Sequence, residues 1–248
     1  MARAQDLEVG LIGGGCYYLG DLNPGKHFLN TNVAYGITTR LNIDTRWAVK
    51  ISAMRSEIEG HASSTGFLPD RGLSFTSNLT DISGVVEFNF RPYFTGSRMN
   101  AFTPYIMGGI SAFFYNPFSQ GVELRPLGTE GQNIGYEGRK PYGSVGISLP
   151  FGLGVKASIS QRIGLQLYWE MHKTFNDYLD DVSTTYYLDG AVIDRNDQAA
   201  TASDPTMNHK PGMQRGNASN KDWYAFVGLS VTYKFNIFKS NKCRDLNH

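Results

Sequence analysis

The sequence predicts an all-β fold: an eight-stranded antiparallel transmembrane β-barrel with long extracellular loops and short periplasmic turns. Three observations point to it. Apolar and polar residues alternate with period two in about eight segments, the mark of strands with one apolar face. The links between these segments are short and long in turn, the pattern of outer-membrane barrels. The composition is rich in β-formers and interfacial rings, with 28 Gly, 14 Tyr and 15 Phe in 248 residues.

In chain order, the first strand alternates Leu7, Val9 and Leu11 with Glu8, Gly10 and Ile12. The second sets Val33, Tyr35, Ile37 and Leu41 against Ala34, Gly36, Thr38 and Arg40, and the link Asn42 to Thr45 follows. The third sets Trp47, Val49, Ile51 and Ala53 against Ala48, Lys50 and Ser52. The fourth sets Ile82, Val86, Phe88 and Phe90 against Ser83, Glu87, Asn89 and Arg91. The fifth, around Pro104 to Tyr115, is apolar on both faces, so its register is not assigned. The sixth sets Ile147, Leu149, Phe151, Leu153 and Val155 against Ser148, Gly152, Gly154 and Lys156. The seventh sets Ile163, Leu165, Leu167, Trp169 and Met171 against Gly164, Gln166, Tyr168, Glu170 and His172. The eighth sets Trp223, Ala225, Val227, Leu229, Val231 and Tyr233 against Tyr224, Gly228, Ser230, Thr232 and Lys234.

Long links are expected near Leu19 to Asn30, Glu59 to Asn78, Asn116 to Tyr142 and Lys173 to Asp222. Both termini then lie on the periplasmic side. In the last loop, Asp194 to Asn220 has little apolar content and is expected to be mobile. Residues 1–5, M-A-R-A-Q, read as a signal-peptide remnant or as residues added in cloning. Residues 6–235 form the barrel and 236–248 a periplasmic tail.

Charged residues are only 18% of the chain, the net charge is +1 and the mean hydropathy is -0.31. The charge excludes a nucleic-acid partner. The hydropathy fits a barrel that shows lipid only every second residue. No run of ~18 apolar residues predicts a transmembrane helix. A lipocalin-like soluble barrel shares the alternation with its faces reversed. Against it, the polar face mixes Gly, Ser and Thr with few charges: Glu8, Arg40, Lys50, Glu87, Arg91, Lys156, Glu170 and Lys234. Such sparse, opposite charges suit an ion network across a narrow lumen, where an unpaired one costs several kcal/mol. Trp47 and Tyr233 fall near strand ends, as girdle residues do. The last strand ends on Phe235, the terminal aromatic usual in barrel assembly.

Four stretches carry a family resemblance. They are Tyr18 to Pro24, Pro126 to Gln132, Ile147 to Lys156 and Lys173 to Ser183, the last holding Asp177, Tyr178, Asp180 and Asp181. Through them the chain resembles PorG-like outer-membrane barrels of the type IX secretion system of Bacteroidota. The resemblance implies a non-enzymatic part of that machinery. It also implies partners: outer-membrane lipid, a PorK-like ring lipoprotein and a PorN-like periplasmic protein. No cofactor is implied.

The remaining motifs weigh against chemistry. His27, His61, His172, His209 and His248 lack metal-site spacing. His172, Glu170 and Ser183 raise a rim-active lipid enzyme, but Glu170 and His172 fall on the lumenal face, where a hydrogen-bonded pair is the simpler reading. Gly13-Gly14-Gly15 opens no helix, so close strand packing explains it rather than phosphate binding. Asp177, Asp180 and Asp181 raise a calcium site; capping of loop turns is the favoured role. Cys16 and Cys243 lie at opposite ends of the barrel, which excludes a disulfide between them. Cys243 is therefore a candidate for an intermolecular disulfide with the periplasmic lipoprotein, in a tail made basic by Lys239, Lys242 and Arg244. The readings that compete are a ring anchor, a small passive channel or adhesin-like barrel, and a lipid enzyme.

Overall fold

A computed structural model describes residues 6–66 and 69–235. The expected leader at 1–5 lies outside them, as does the tail with Lys239, Lys242, Cys243 and Arg244. Strands β1 (Asp6–Leu19), β2 (Asn32–Asn42), β3 (Trp47–His61), β4 (Ser74–Asn89) and β5 (Phe102–Ser119) follow in chain order. A two-residue strand, β6 (Val122–Glu123), then precedes β7 (Val145–Ser158), β8 (Ile163–Thr174) and β9 (Trp223–Phe235). All pairings are antiparallel. β1 pairs with both β2 and β9, and β4 pairs with β5, so the sheet closes into an eight-stranded barrel with β6 appended to the end of β5. Closure gives each of the eight barrel strands a partner on both sides.

The alternation decides which face is which. Leu11, Val33, Ile37, Ile51, Ile82, Ile110, Ile147, Leu167, Leu229 and Val231 are all exposed on the outside. The charged partners of these strands are buried inside. A soluble barrel has the reverse arrangement, so this outer belt is a lipid-facing surface. Trp47 packs tilted against Phe88, and Phe88 meets Phe90, and Tyr233 meets Phe235, edge-to-face, forming an aromatic girdle at the short-turn end. No helix among the described residues is long and apolar enough to cross a membrane, which says nothing about crossing by strands.

The strands are longer than a bilayer requires. β5 has 18 residues and β4 has 16, against roughly 9–11 for a membrane-spanning strand. On β3 the outward positions turn polar at Arg55, Glu57 and Glu59, which marks where this face leaves the apolar belt. The expected links therefore shorten: 62–73 joins β3 to β4, and β5 runs past Asn116 before the chain turns at 120–121.

The register of β5, unassigned from sequence, is settled by pairing. Tyr105, Met107, Ser111, Phe113 and Tyr115 point inward and are buried, whereas Ile106, Ile110 and Phe114 face out. Both faces are apolar because the lumen is layered. Toward the loop end it holds Cys16, Met54, Leu79, Phe113, Tyr115, Tyr224 and Phe226 in one apolar cluster. Toward the short-turn end it holds charge. The glycine run of β1 also has a packing reason. A Cβ on Gly14 would collide with the Val227 carbonyl oxygen and the Gly228 Cα of β9.

The segment Asp194 to Asn220, expected to be mobile, is folded over the barrel mouth. Helix α1 (Gln198–Ser203) lies within it, capped by Asp197, whose carboxylate accepts from the Ala199 and Ala200 amides. Asp204 accepts from the amides of Thr206, Met207 and His209. Short side chains order this loop by bonding its backbone, a device invisible to hydropathy.

Candidate functional site

The lumen is filled near its short-turn end by a ring of charge. Arg40 on β2 donates from Nε to Glu87 Oε2 at 2.7 Å and from Nη1 to Glu8 Oε2 at 2.9 Å. Its Nη2 donates to Gln166 Oε1. Lys156 donates to Glu87 Oε2 at 2.7 Å and to Asn89 Oδ1 at 2.9 Å. Lys50 donates to Glu170 Oε2 at 3.1 Å. Three carboxylates thus face three cations, and all six side chains are buried. A balanced set is what a low-dielectric interior requires, because one unpaired ion there costs several kcal/mol.

The link 90–101 closes this end. Tyr93 and Thr95 are buried, and the Thr95 hydroxyl donates to Glu8 Oε1 at 2.7 Å. Lys234 donates to the Thr95 carbonyl oxygen at 2.5 Å and lies 3.6 Å from Asp6, so it seals the rim rather than joining the central ring. Arg91 departs from expectation. β4 ends at Asn89, the chain bends away, and Arg91 is exposed outside the lumen. Sequence parity placed it inside only on the premise that the strand continued.

Above the ring lies His172. Ser111 and Ser148 hydroxyls both approach its Nδ1, at 3.3 and 3.1 Å, and Asp81 Oδ2 lies 3.6 Å from the same nitrogen. A catalytic triad needs the nucleophile on one ring nitrogen and the acid on the other. Here all three converge on one, and every member is buried. Glu170 Oε1 sits 3.5 Å from His172 Nε2 without a hydrogen bond. Ser183, the third residue of the rim-enzyme reading, lies in the loop cap and donates to Asp177 instead.

The second assembly is that cap, where three of the four resemblance stretches meet. Tyr18 Oη donates to Asp180 Oδ2 at 2.5 Å and lies 3.2 Å from Asp222 Oδ1. Thr129 and Tyr142 hydroxyls donate to the two oxygens of Asp181, at 2.5 and 2.6 Å. Glu130 accepts from the amides of Ser183 and Thr184, at 2.9 and 3.1 Å, and from the Tyr178 hydroxyl at 3.3 Å. Arg215, fully buried, donates to Glu130 Oε1 at 3.0 Å and to the Asp181 carbonyl oxygen at 2.5 Å. Tyr142 and Tyr178 stack with ring centroids 4.6 Å apart. Asp180 and Asp222 also accept from the Val182 and Leu179 amides, so both fasten loop backbone. Among the described residues no group of three or more His, Cys, Asp or Glu is placed to hold a metal ion.

Acids outnumber bases in the cap, and the acid strengths follow. Burial, and the neighbouring Asp21, hold Asp180 well above the usual carboxylate range. Burial, and the nearby Asp180, do the same to Asp222. Burial raises Asp181 to about 6 against the pull of Arg215, and raises Asp177 to about 6. Glu130 runs the other way: burial opposes its ionisation, but Arg215 and the Thr184 and Ser183 donors outweigh it, and its acidity is strengthened. Glu130 stood inside a resemblance stretch but was not singled out from sequence. Arg215 and Asp222 had no sequence signal, since nothing local marks their burial.

Three solved barrels are similar. Neisserial surface protein A has a TM-score of 0.50 at 10% identity, over 92% of this chain and 97% of that one. OprG from Pseudomonas aeruginosa gives 0.48 at 12% identity, over 94% and 97%. Ail, the attachment invasion locus protein of Yersinia pestis, gives 0.47 at 10% identity, over 93% and 99%. At such identities the likeness is one of fold. No curated protein matches the sequence. A family model described as a domain of unknown function matches residues 1–187.

Proposed function

The chain belongs to the DUF6089 family, and we propose that it is a non-enzymatic outer-membrane component of the type IX secretion machinery. In this reading the barrel anchors a periplasmic ring of PorK-like lipoprotein and PorN-like protein, with both termini on the periplasmic side. The observation that carries it is the filled lumen. A barrel sealed by Arg40, Glu8, Glu87, Lys156, Lys50 and Glu170 acts through its ends and not through its bore. The short-turn end also suits an acidic partner, because Arg46, Arg91, Arg98 and Arg162 are all exposed or half-buried there. In the sequence, the basic residues Lys239, Lys242 and Arg244 follow Phe235, and Cys243 among them would supply a thiol for an intermolecular disulfide in the oxidising periplasm.

A pull-down from detergent-solubilised outer membranes, with and without reductant, tests this. Recovery of a periplasmic lipoprotein, lost on deletion of residues 236–248, is the expected result. Recovery of nothing by a folded, heat-modifiable barrel overturns it and leaves the channel or adhesin-like reading in front. An adduct band on non-reducing gels that persists in Cys243→Ser removes the disulfide alone.

A further inference from the structure

The links at the short-turn end are unequal. Two have four residues, 43–46 and 159–162, whereas the link 90–101 has twelve. Its first part blocks the lumen with Tyr93 and Thr95, both buried. Bonds from several walls hold it there. The Tyr93 amide donates to the Thr45 carbonyl oxygen at 3.0 Å, the Thr95 hydroxyl to Glu8 at 2.7 Å and the Gly96 amide to the Ser158 hydroxyl at 2.7 Å. These partners belong to the β2–β3 turn, to β1 and to β7. Gly96 has a φ of +99°, and a Cβ there would lie 2.5 Å from the Gln161 carbonyl oxygen. Only glycine lets the link lie this close to the β7–β8 turn.

Beyond Gly96 the link closes into a tip. The Ser97 amide donates to the Phe94 carbonyl oxygen at 3.1 Å, the Asn100 amide to the Ser97 hydroxyl at 3.0 Å and the Phe94 amide to the Asn100 carbonyl oxygen at 3.1 Å. Arg98 and Met99 stand on this tip. Met99 is 93% exposed, more than any other large apolar side chain among the described residues. A hydrogen-bonded turn thus holds out a methionine, and Met and Arg are side chains enriched at protein interfaces. The surrounding charge is positive. Arg91 and Arg98 are exposed and make no ion pair among the described residues. The acids of this rim are engaged elsewhere: Asp44 accepts from the Arg46 and Trp47 amides at 2.6 and 2.8 Å, and Asp6 lies 3.6 Å from Lys234.

A rigid apolar point between unpaired cations fits a folded protein with an apolar pocket bordered by carboxylates. We propose that the tip of the link 90–101 is the contact by which the short-turn end holds its periplasmic partner. Met99 enters an apolar pocket of that protein, and Arg91 and Arg98 pair with carboxylates at the pocket's edge. The tip is already ordered, so docking costs it little conformational freedom. Lipid is the poorer occupant, because the bonds to β1, β7 and the β2–β3 turn draw the link across the barrel mouth and off the lipid-facing wall. The inference rests on the ring-anchoring reading and gives that reading a contact outside the tail.

The full chain in phosphatidylethanolamine nanodiscs is titrated with the purified PorK-like lipoprotein, lacking its acyl chain, and with the PorN-like protein, and binding is read by interferometry. Met99→Ser is expected to weaken binding of one of them about tenfold, and Met99→Leu to preserve it. Arg91→Gln combined with Arg98→Gln is expected to slow association and flatten its salt dependence. Val192→Ser, in the last loop, is expected to change nothing. Heat-modifiable migration verifies that each variant is folded. Equal affinity of Met99→Ser and the unaltered chain overturns this contact and leaves the anchor reading standing. Absence of binding by the unaltered chain removes both. A fluorophore on Met99→Cys separates protein from lipid, in a Cys243→Ser background where the remaining Cys16 is buried. Its emission is expected to shift to the blue only when the ring protein is added. A blue shift in phosphatidylglycerol nanodiscs without protein would place Met99 in the bilayer and overturn the proposal.

Discussion

At the scale of single residues, Arg40 decides whether the lumen tolerates its charges. Its guanidinium reaches Glu8 and Glu87 at once, and both are fully buried. Glu87 keeps Lys156 if Arg40 is lost, but Glu8 keeps only neutral donors: Asn42, Thr95 and Thr232. Removing one partner of a buried pair costs about 3–5 kcal/mol. Arg40→Met is therefore expected to lower the urea midpoint of unfolding in detergent by that equivalent, and adding Glu8→Gln to recover part of it. An unchanged midpoint in Arg40→Met would show that the ring is not held as a unit. The members of this ring were readable from sequence, since Glu8, Arg40, Lys50, Glu87, Lys156 and Glu170 all alternate with residues that face lipid. What sequence could not supply was the pairing, which depends on stagger between strands. Arg91 shows the limit: period-two parity holds only while the strand lasts, and β4 ends two residues earlier.

At the scale of elements, the barrel wall and the loop cap were legible to different degrees for a physical reason. Strands announce themselves because lipid and lumen impose opposite polarities on neighbouring residues. β5 lacked that signal because its inward side enters the apolar layer of the lumen at Phe113 and Tyr115. The cap is built from buried Asp, Glu, Thr and Tyr that read in sequence as solvated loop. These residues make it sensitive to pH. Asp181 and Asp177 sit near 6 in the folded cap, and Asp180 and Asp222 well above their ordinary range. A carboxyl group whose folded pKa is raised binds its proton more tightly when folded. Its contribution is complete below the ordinary pKa and is lost as pH rises through the folded value. For fully buried Asp181, a rise from 3.8 to about 6 corresponds to at most about 3 kcal/mol. Glu130 has the opposite sign and weakens the cap only in strong acid. Hydrogen exchange at the Ser183 and Thr184 amides, corrected for intrinsic rate, is thus expected to show less protection at pH 8 than at pH 5. Protection that stays flat over that interval would mean these carboxyl groups do not titrate in the folded cap.

At the scale of the whole molecule, two independent barriers lie along the barrel axis. One is the ring of paired charge with the link 90–101 beneath it; the other is the aromatic layer with the cap above it. An eight-stranded wall leaves room for little more than its own side chains, so each barrier is sufficient alone. The intact chain is therefore expected to give no steady unit openings in planar bilayers. The sharper prediction concerns a chain lacking residues 178–220, which removes most of the cap but none of the strands. It too is expected to stay silent, because Arg40 and Lys156 still bridge the bore through Glu87 and Glu8. Openings confined to the truncated chain would identify the cap as a gate over a conducting lumen. They would move the function from the ends of the barrel to its interior. Silence in both leaves the two rims as the surfaces through which this barrel acts.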